Sequence, residues 1–440
     1  MNKEKPLTEA QGMSRLPELP RAPRTVEETG LTMGFLVELG CKVMYFGGVL
    51  SLSAIAEELA LPVSVAGDVM EFLTKERFAE IKKGSDIRAS YIYTLTDLGR
   101  GRAREYLRFS GYVGPAPVTL RDYAAMARNQ SIRRMTVKQQ TMREAFDGVI
   151  LAPGLIDRLG PAVNSGRSIF LYGPTGNGKT FIAERLAKVL SGDVLIPHGL
   201  CVDNQVIRVY DPVNHIAIPM RARPNPAMAL PEERADYDRR WVPCERPVVI
   251  SGGELTLAML DLSYNPVSKF YEAPLQVKAN GGIFLIDDLG RQLLRPFDLL
   301  NRWIVPLERA RDYLTLQNGK KFEIPFDQII LFSTNIEPRE LADDAFLRRI
   351  GYKIKIDYVR EEEYVAICRQ ECERLGLGFQ PEAIQYLIHV VHADRGVPLS
   401  ACHPNDILSR VVEICQYNGE NPRLDKELIL RACRDYFTEL

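Results

Sequence analysis

The segment SIFLYGPTGNGKTFIAERLAKVL sets Gly173, Gly178, Lys179 and Thr180 in the spacing G-x-x-x-x-G-K-[ST]. An apolar run precedes the loop and an amphipathic run follows it, so a strand, a tight loop and a helix are expected in that order. In such a loop, Gly173, Pro174, Thr175, Gly176, Asn177 and Gly178 let the backbone close around phosphates at a helix N-terminus. Lys179 then reaches the β and γ phosphates, and the Thr180 hydroxyl binds Mg²⁺. A second apolar run, GGIFLIDDLG at 281–290, ends in two adjacent carboxylates, Asp287 and Asp288. An unpaired carboxylate at the tip of a buried strand is costly, so both need partners. Asp287 is the expected Mg²⁺ partner. Asp288 is read as the carboxylate that orients and polarises an attacking water, with capping of the following LGRQLL segment as the alternative. Asp is one methylene shorter than the Glu common at this position, so slow turnover stays open.

The elements that must position these groups narrow the class. ISGGEL at 250–255 imitates a transporter ATPase signature, but the carboxylate strand follows about thirty residues later and 310–345 holds no histidine. No N-K-x-D or T-K-x-D base-reading motif follows that strand, which disfavours a GTPase. QIILFSTNIEPREL and DDAFLRRIGYKIKI supply an apolar strand ending in Ser333, Thr334 and Asn335, a helix ending in Arg348 and Arg349, and a last strand. Together with the two motifs, these elements resemble the AAA+ ATPases over about residues 145–440. The resemblance implies an α/β fold, a P-loop three-layer αβα sandwich with an α-helical lid, and ATP with Mg²⁺ as ligands. It also implies that Asn335 is sensor 1 and that Arg349, with Arg348 as rival, is an arginine finger entering a neighbouring subunit's site. A finger supplied in trans requires an oligomer, and the resemblance implies a homo-oligomer, a hexamer-like ring.

Residues 145–356 are assigned to the nucleotide-binding core and 357–440 to the lid. The lid shows four amphipathic runs, with Pro381 suited to a first helical turn. At the position where AAA+ lids carry the sensor 2 arginine, HPNDIL has Asn405, and Arg410 or Arg395 is left as a substitute. Cys368 and Cys372, with His389 and His392, are read as core residues in preference to a zinc site. Two insertions are expected, near 197–246 and 312–326. The first contains VIRVYDPVNHIAIP, read as a hairpin around Asp211 to Asn214. The second turns at Asn318-Gly319 and resembles the pre-sensor hairpin of the clade containing magnesium-chelatase and enhancer-binding activator ATPases.

Residues 1–25 are proline-spaced and polar and are expected to be a flexible tail. Residues 26–110 order as helix, two short helices, a hairpin across Gly84 to Asp86, and a helix capped by Thr96, which resembles a small winged helix-turn-helix (α+β) domain. Its second short helix carries Asp68 and Glu71 and no Arg, Asn or Gln between Val63 and Phe72, so a protein partner is favoured over nucleic acid. Ten basic residues between Arg100 and Arg143 oppose only Glu105 and Asp122. Residues 111–144 are therefore read as a basic linker, with Gly-Pro-Ala-Pro at 114–117 marking a boundary.

The whole chain carries a net charge of -1, which excludes global attraction to nucleic acid. Eight cysteines without repeated spacing and no signal-peptide pattern point to the cytoplasm. Glu38 and Lys42 interrupt the longest apolar stretch, so no membrane span is expected. The favoured function is a ring-forming remodelling or chaperone-like ATPase whose N-terminal domain docks a protein substrate or adaptor. A DNA-binding regulator controlled by ATP and a nucleotide-gated scaffold with little turnover are the alternatives.

Overall fold

The computed structural model describes residues 19–84, 88–190, 192–219, 237–341 and 343–437. Most of the expected tail, the tip of the expected N-terminal hairpin and residues 220–236 of the first insertion lie outside these. At the centre is a five-stranded, wholly parallel sheet in the order Val248–Ser251, Ile283–Ile286, Ile329–Thr334, Ile169–Tyr172, Tyr352–Lys355. The central strands IFLI at 283–286 and IILFST at 329–334 are buried at every residue, as a sheet covered on both faces requires.

Alternation along these strands separates two cores. Ile169, Leu171, Ile283, Leu285, Ile329 and Leu331 face helices Gln139–Ala145, Leu155–Asn164 and Lys179–Val189. Phe170, Phe284, Ile286, Ile330 and Phe332 face helix Pro296–Arg309, whose Trp303 is fully buried. Helices on both sides of the parallel sheet make a three-layer αβα P-loop fold.

The C-terminal region is a separate helical layer around Tyr364, Cys368, Cys372, Leu387, Ile407, Leu408, Val411 and Ile429. Its helices are Glu361–Leu375, a run from Pro381 to Arg395 with a wider π turn in its middle, His403–Tyr417 and Lys426–Tyr436. Cys368 and Cys372 are core residues, while His389 turns outward to Glu361 at 3.2 Å. Among the described residues no His, Cys, Asp or Glu cluster suits a metal ion. No helix among them is long and apolar enough to cross a membrane.

The N-terminal unit places helices Met33–Gly47, Leu52–Glu58, Val63–Lys75 and Asp97–Phe109 around an antiparallel sheet ordered Val49–Ser51, Ile92–Leu95, Ala79–Lys83. The Thr96 hydroxyl accepts from the Gly99 amide at 3.1 Å and starts the last helix.

Four expectations are corrected here. Residues 19–25 are not part of a free tail: Arg21 bridges Tyr237, and the Asp238 amide donates to the Pro20 carbonyl. Residues 111–144 are not a linker. Val118–Thr119 joins a five-stranded sheet beside Gly199–Val202, and helices Leu120–Asn129 and Gln139–Ala145 bury Tyr123, Met126 and Met142. Their arginines occupy the exposed faces, so counting charge registered one side of each helix only. The Gly-Pro-Ala-Pro stretch marks an interface instead of a boundary: the Ala116 amide donates to Leu59, and buried Arg240 donates to the Thr29 and Pro117 carbonyls. Finally, the first insertion turns at Asp203-Asn204, between Gly199–Val202 and Gln205–Arg208, with both turn residues at positive φ. Asp211 to Asn214 forms a separate turn held by the Asp211 carboxylate.

The second hairpin pairs Arg311–Thr315 with Lys321–Pro325 around Gly319, whose φ is 83°. It does not project. Leu314, Leu316, Phe322 and Ile324 share one core with Val118, Tyr123, Leu200, Ile207 and Tyr271 of the first insertion. The two hairpin tips are also joined, because Asn318 and Lys320 both donate to the Asp203 carboxylate, at 3.0 and 2.6 Å.

Candidate nucleotide site

Strand Ile169–Tyr172 delivers the chain to Gly173, whose φ of 130° and tight setting admit no side chain: a Cβ there would lie 2.1 Å from the Ile356 carbonyl oxygen. Gly178 follows in the left-handed region at φ 76° and opens helix Lys179–Val189. Lys179 is 7% exposed, and its Nζ donates to the Gly173 and Pro174 carbonyls at 2.9 and 2.8 Å. Burial lowers its pKa, and the nearby Asp288 and Asp287 oppose that shift. An ammonium held on loop carbonyls beside two carboxylates is poised to exchange those partners for phosphate oxygens.

Strand Ile283–Ile286 brings Asp287 to the same place. Its Oδ2 accepts a 2.8 Å hydrogen bond from the Thr180 hydroxyl, joining two groups 107 residues apart. Gln292 and Ser251 fix the Asp287 backbone through its carbonyl and amide. Asp288 is exposed and sits at φ 51°, unusual for a residue with a side chain. Its neighbour Leu289 is clamped from both sides, amide to the Ser333 carbonyl and carbonyl to the Thr334 hydroxyl at 2.6 Å. Asn335 follows directly, and its Oδ1 is buried without a hydrogen-bond partner.

A glycine cradle that rejects Cβ atoms, a buried lysine, a Thr–Asp pair and an orphaned acceptor fit a nucleoside triphosphate with Mg²⁺. The arginines stand apart from this group. Arg349 pairs with Glu308, Nε to Oε1, at 2.5 Å, and Arg348 is exposed at the end of helix Asp344–Leu347.

The structure adds contacts that the sequence reading missed. Asn177 is buried, its amide donates to the Pro174 and Thr175 carbonyls, and its Oδ1 accepts from the Ala401 amide of the lid at 3.1 Å. The Cys402 amide donates to the Gly176 carbonyl at 2.9 Å. The ISGGEL segment, read as a decoy, lies beside the Asp287 strand. There the Ser251 hydroxyl and the Gly252 amide both bond Glu254 at 2.9 Å, and such bonds hold the Glu254 carboxyl below its usual range. The proposed sensor 2 substitutes pack elsewhere, Arg410 over the Tyr436 ring and Arg395 over Phe437. Asn405 instead accepts from Arg374 at 2.7 Å.

A family model described as a domain of unknown function, DUF8689, matches residues 360–435, which is the lid. A short stretch is 43% identical over 49 residues to the vesicular-fusion protein sec18 of Schizosaccharomyces pombe, covering 11% of this chain and 6% of that protein. Another is 44% identical over 50 residues to the vesicle-fusing ATPase of Dictyostelium discoideum, with the same shares. The chain thus spans a small fraction of the length of the curated relatives it matches. Among solved structures, NtrX from Brucella abortus in complex with ADP is 16% identical, covers 66% of this chain and 56% of its own, and superposes with a TM-score of 0.37. The RuvB Holliday junction branch migration motor of Thermotoga maritima is 13% identical, covers 69% and 73%, and gives 0.33.

Proposed function

We propose that this chain is a Mg²⁺-dependent ATPase of the AAA+ type that works as a homo-oligomeric ring, its N-terminal unit docking a protein substrate or adaptor. The observation that carries the reading is the Thr180–Asp287 hydrogen bond across the loop and the neighbouring parallel strand. Thr180 and Asp287 would hold Mg²⁺, which supplies charge neutralisation on the phosphates. Lys179 binds the β and γ oxygens, Asp288 orients and deprotonates the attacking water, and Asn335 positions that water through its unpartnered oxygen. Arg349, or the exposed Arg348, enters the next subunit's site.

A winged-helix reading of the N-terminal unit is supported by its element order and its three-stranded antiparallel sheet. The exposed face of helix Val63–Lys75 carries Val63, Ser64, Asp68, Glu71, Phe72 and Lys75, two apolar groups and two acids against one base, a mix suited to a protein. The two acids outnumber Lys75 there and disfavour phosphates, so nucleic acid is the less favoured partner.

The test is ATP turnover against protein concentration for the wild type, Asp288→Asn and Arg349→Ala. Turnover that rises with assembly and falls in both variants by about 10²-fold or more is expected. A second reading, a nucleotide-gated scaffold, is favoured by the solvent-facing placement of the short Asp288 side chain. Tight ATP binding without turnover at any concentration would select it.

A further inference from the structure

We infer that Gln292 is a positioning residue for hydrolysis, its side-chain amide holding the backbone turn from which Asp288 reaches the attacking water; the inference rests on the ATPase reading of the site. The chain leaves strand Ile283–Ile286 at Asp287 and turns at once, with Asp288 at φ 51°. A residue with a side chain is strained in that region and persists there only where its surroundings over-determine the backbone. The holding contacts therefore decide where the carboxylate stands.

Gln292 supplies two of them. Its Nε2 donates to the Asp287 carbonyl and its Oε1 accepts from the Gly290 amide, both at 2.8 Å. One planar amide thus spans the peptide groups on either side of Asp288 and Leu289. The Asp288 carbonyl accepts from the Arg291 amide at 3.0 Å, which closes the turn. On the other side Leu289 is tied to strand Ile329–Thr334 through the Ser333 carbonyl and the Thr334 hydroxyl. Both bonds of Gln292 go to backbone, so its effect on the reaction passes through the turn.

Side-chain length makes that turn matter. Asp has two side-chain torsions where Glu has three, so the reach of Asp288 is set by its backbone to a greater degree. The charge of Asp288 acts on the Lys179 ammonium ahead of that of Asp287, so this backbone brings the carboxylate to the phosphate loop. A general base works only within hydrogen-bond reach of the proton that it takes, and a misplacement of about 1 Å can cost about 10²-fold in rate. Releasing the Gln292 clasp lets the strained turn relax and carries Asp288 away from the water, while Lys179, Thr180 and Asp287 keep the nucleotide.

The test uses the full chain with Mg²⁺ and compares Gln292→Met, which keeps the length of the side chain and removes both bonds, with Asp288→Asn and the double variant. It measures ATP dissociation constants, steady-state kcat and KM, and single-turnover rates that read slow hydrolysis. Gln292→Met is expected to lower kcat by about 10- to 100-fold with ATP affinity within about twofold of wild type. In the Asp288→Asn background the same substitution should change the single-turnover rate by less than about twofold, because the carboxylate that Gln292 serves is already gone. An unchanged kcat in Gln292→Met would overturn the inference alone, and so would an equal fall in rate with and without the Asp288 carboxylate. ATP affinity that falls in step with the rate would make the clasp structural and overturn it as well. A wild type that binds ATP without turning it over would overturn the ATPase reading together with it.

Discussion

Gly173 and Gly178 belong to the same motif and are constrained by different physics. At Gly173 an added Cβ meets backbone, 2.1 Å from the Ile356 carbonyl, and the residue is also at positive φ. At Gly178 nothing lies within 4 Å, so only the left-handed backbone opposes a side chain, at about 1–2 kcal/mol. Gly173→Ala is therefore expected to lower the apo melting temperature and to abolish ATP-induced stabilisation. Gly178→Ala should leave a nearly normal apo melt and weaken only the stabilisation by ATP. Thermal melts with and without Mg²⁺ATP separate the two, and equal apo melts would refute the steric account. The motif itself was legible because its information is local, four fixed residue types within eight positions. The partner of Asn177 was not, since a variable position in the pattern gives no sign that a lid amide 224 residues away will use its oxygen.

Continuous apolar runs bounded by polar residues were read correctly from sequence, as at 283–286 and 329–334, which form central strands. Segments with two faces were misjudged when one face dominated the count, and the basic stretch 111–144 became strand and helix. The second hairpin is the sharper case. Asn318-Gly319 announces a turn, but nothing local says that Leu314 and Phe322 will be buried against a distant insertion. Leu314 is 1% exposed, so Leu314→Ala should cost about 2–5 kcal/mol of unfolding free energy by denaturant titration. A freely projecting hairpin would lose almost nothing.

The lid makes a pH prediction. His403 stacks on His392 with ring centroids 5.1 Å apart, and burial pushes its pKa down to about 4, with the charge of His392 second and Asp406 opposing. Unfolded, the same group titrates near 6.5 and so binds its proton first as pH falls. Stability is therefore complete above about pH 6.5 and declines toward pH 4, by up to about 3 kcal/mol from this group. His198 behaves alike in the first insertion. Denaturation midpoints from pH 7.5 to 4.5 should fall on the acid side, and His403→Gln should flatten that limb.

On the scale of the whole molecule, the proposed ring is decided by where Arg349 acts. Within one chain it is bound to Glu308, the arginine side chain 18% and the glutamate side chain 46% exposed, so the pair lies at the surface and is open to exchange. A phosphoryl group carrying developing charge is a stronger partner, so the arginine can leave Glu308 when a neighbouring subunit presents one. Mixing separates this from a role inside the chain. Lys179→Ala lacks a working loop but keeps its arginine, whereas Arg349→Ala keeps the loop and lacks the arginine. Each alone should be nearly inactive. In a ring with head-to-tail contacts, a one-to-one mixture pairs an intact loop with an intact neighbouring arginine at about a quarter of its sites. Turnover in the mixture should then rise well above the sum of the two variants, toward about a quarter of wild type per subunit. If Arg349 serves only its own chain, no mixed site is complete and the mixture stays at that sum. Repeating the mixture with Arg348→Ala in place of Arg349→Ala then assigns the role, because only the arginine that crosses the interface gives complementation.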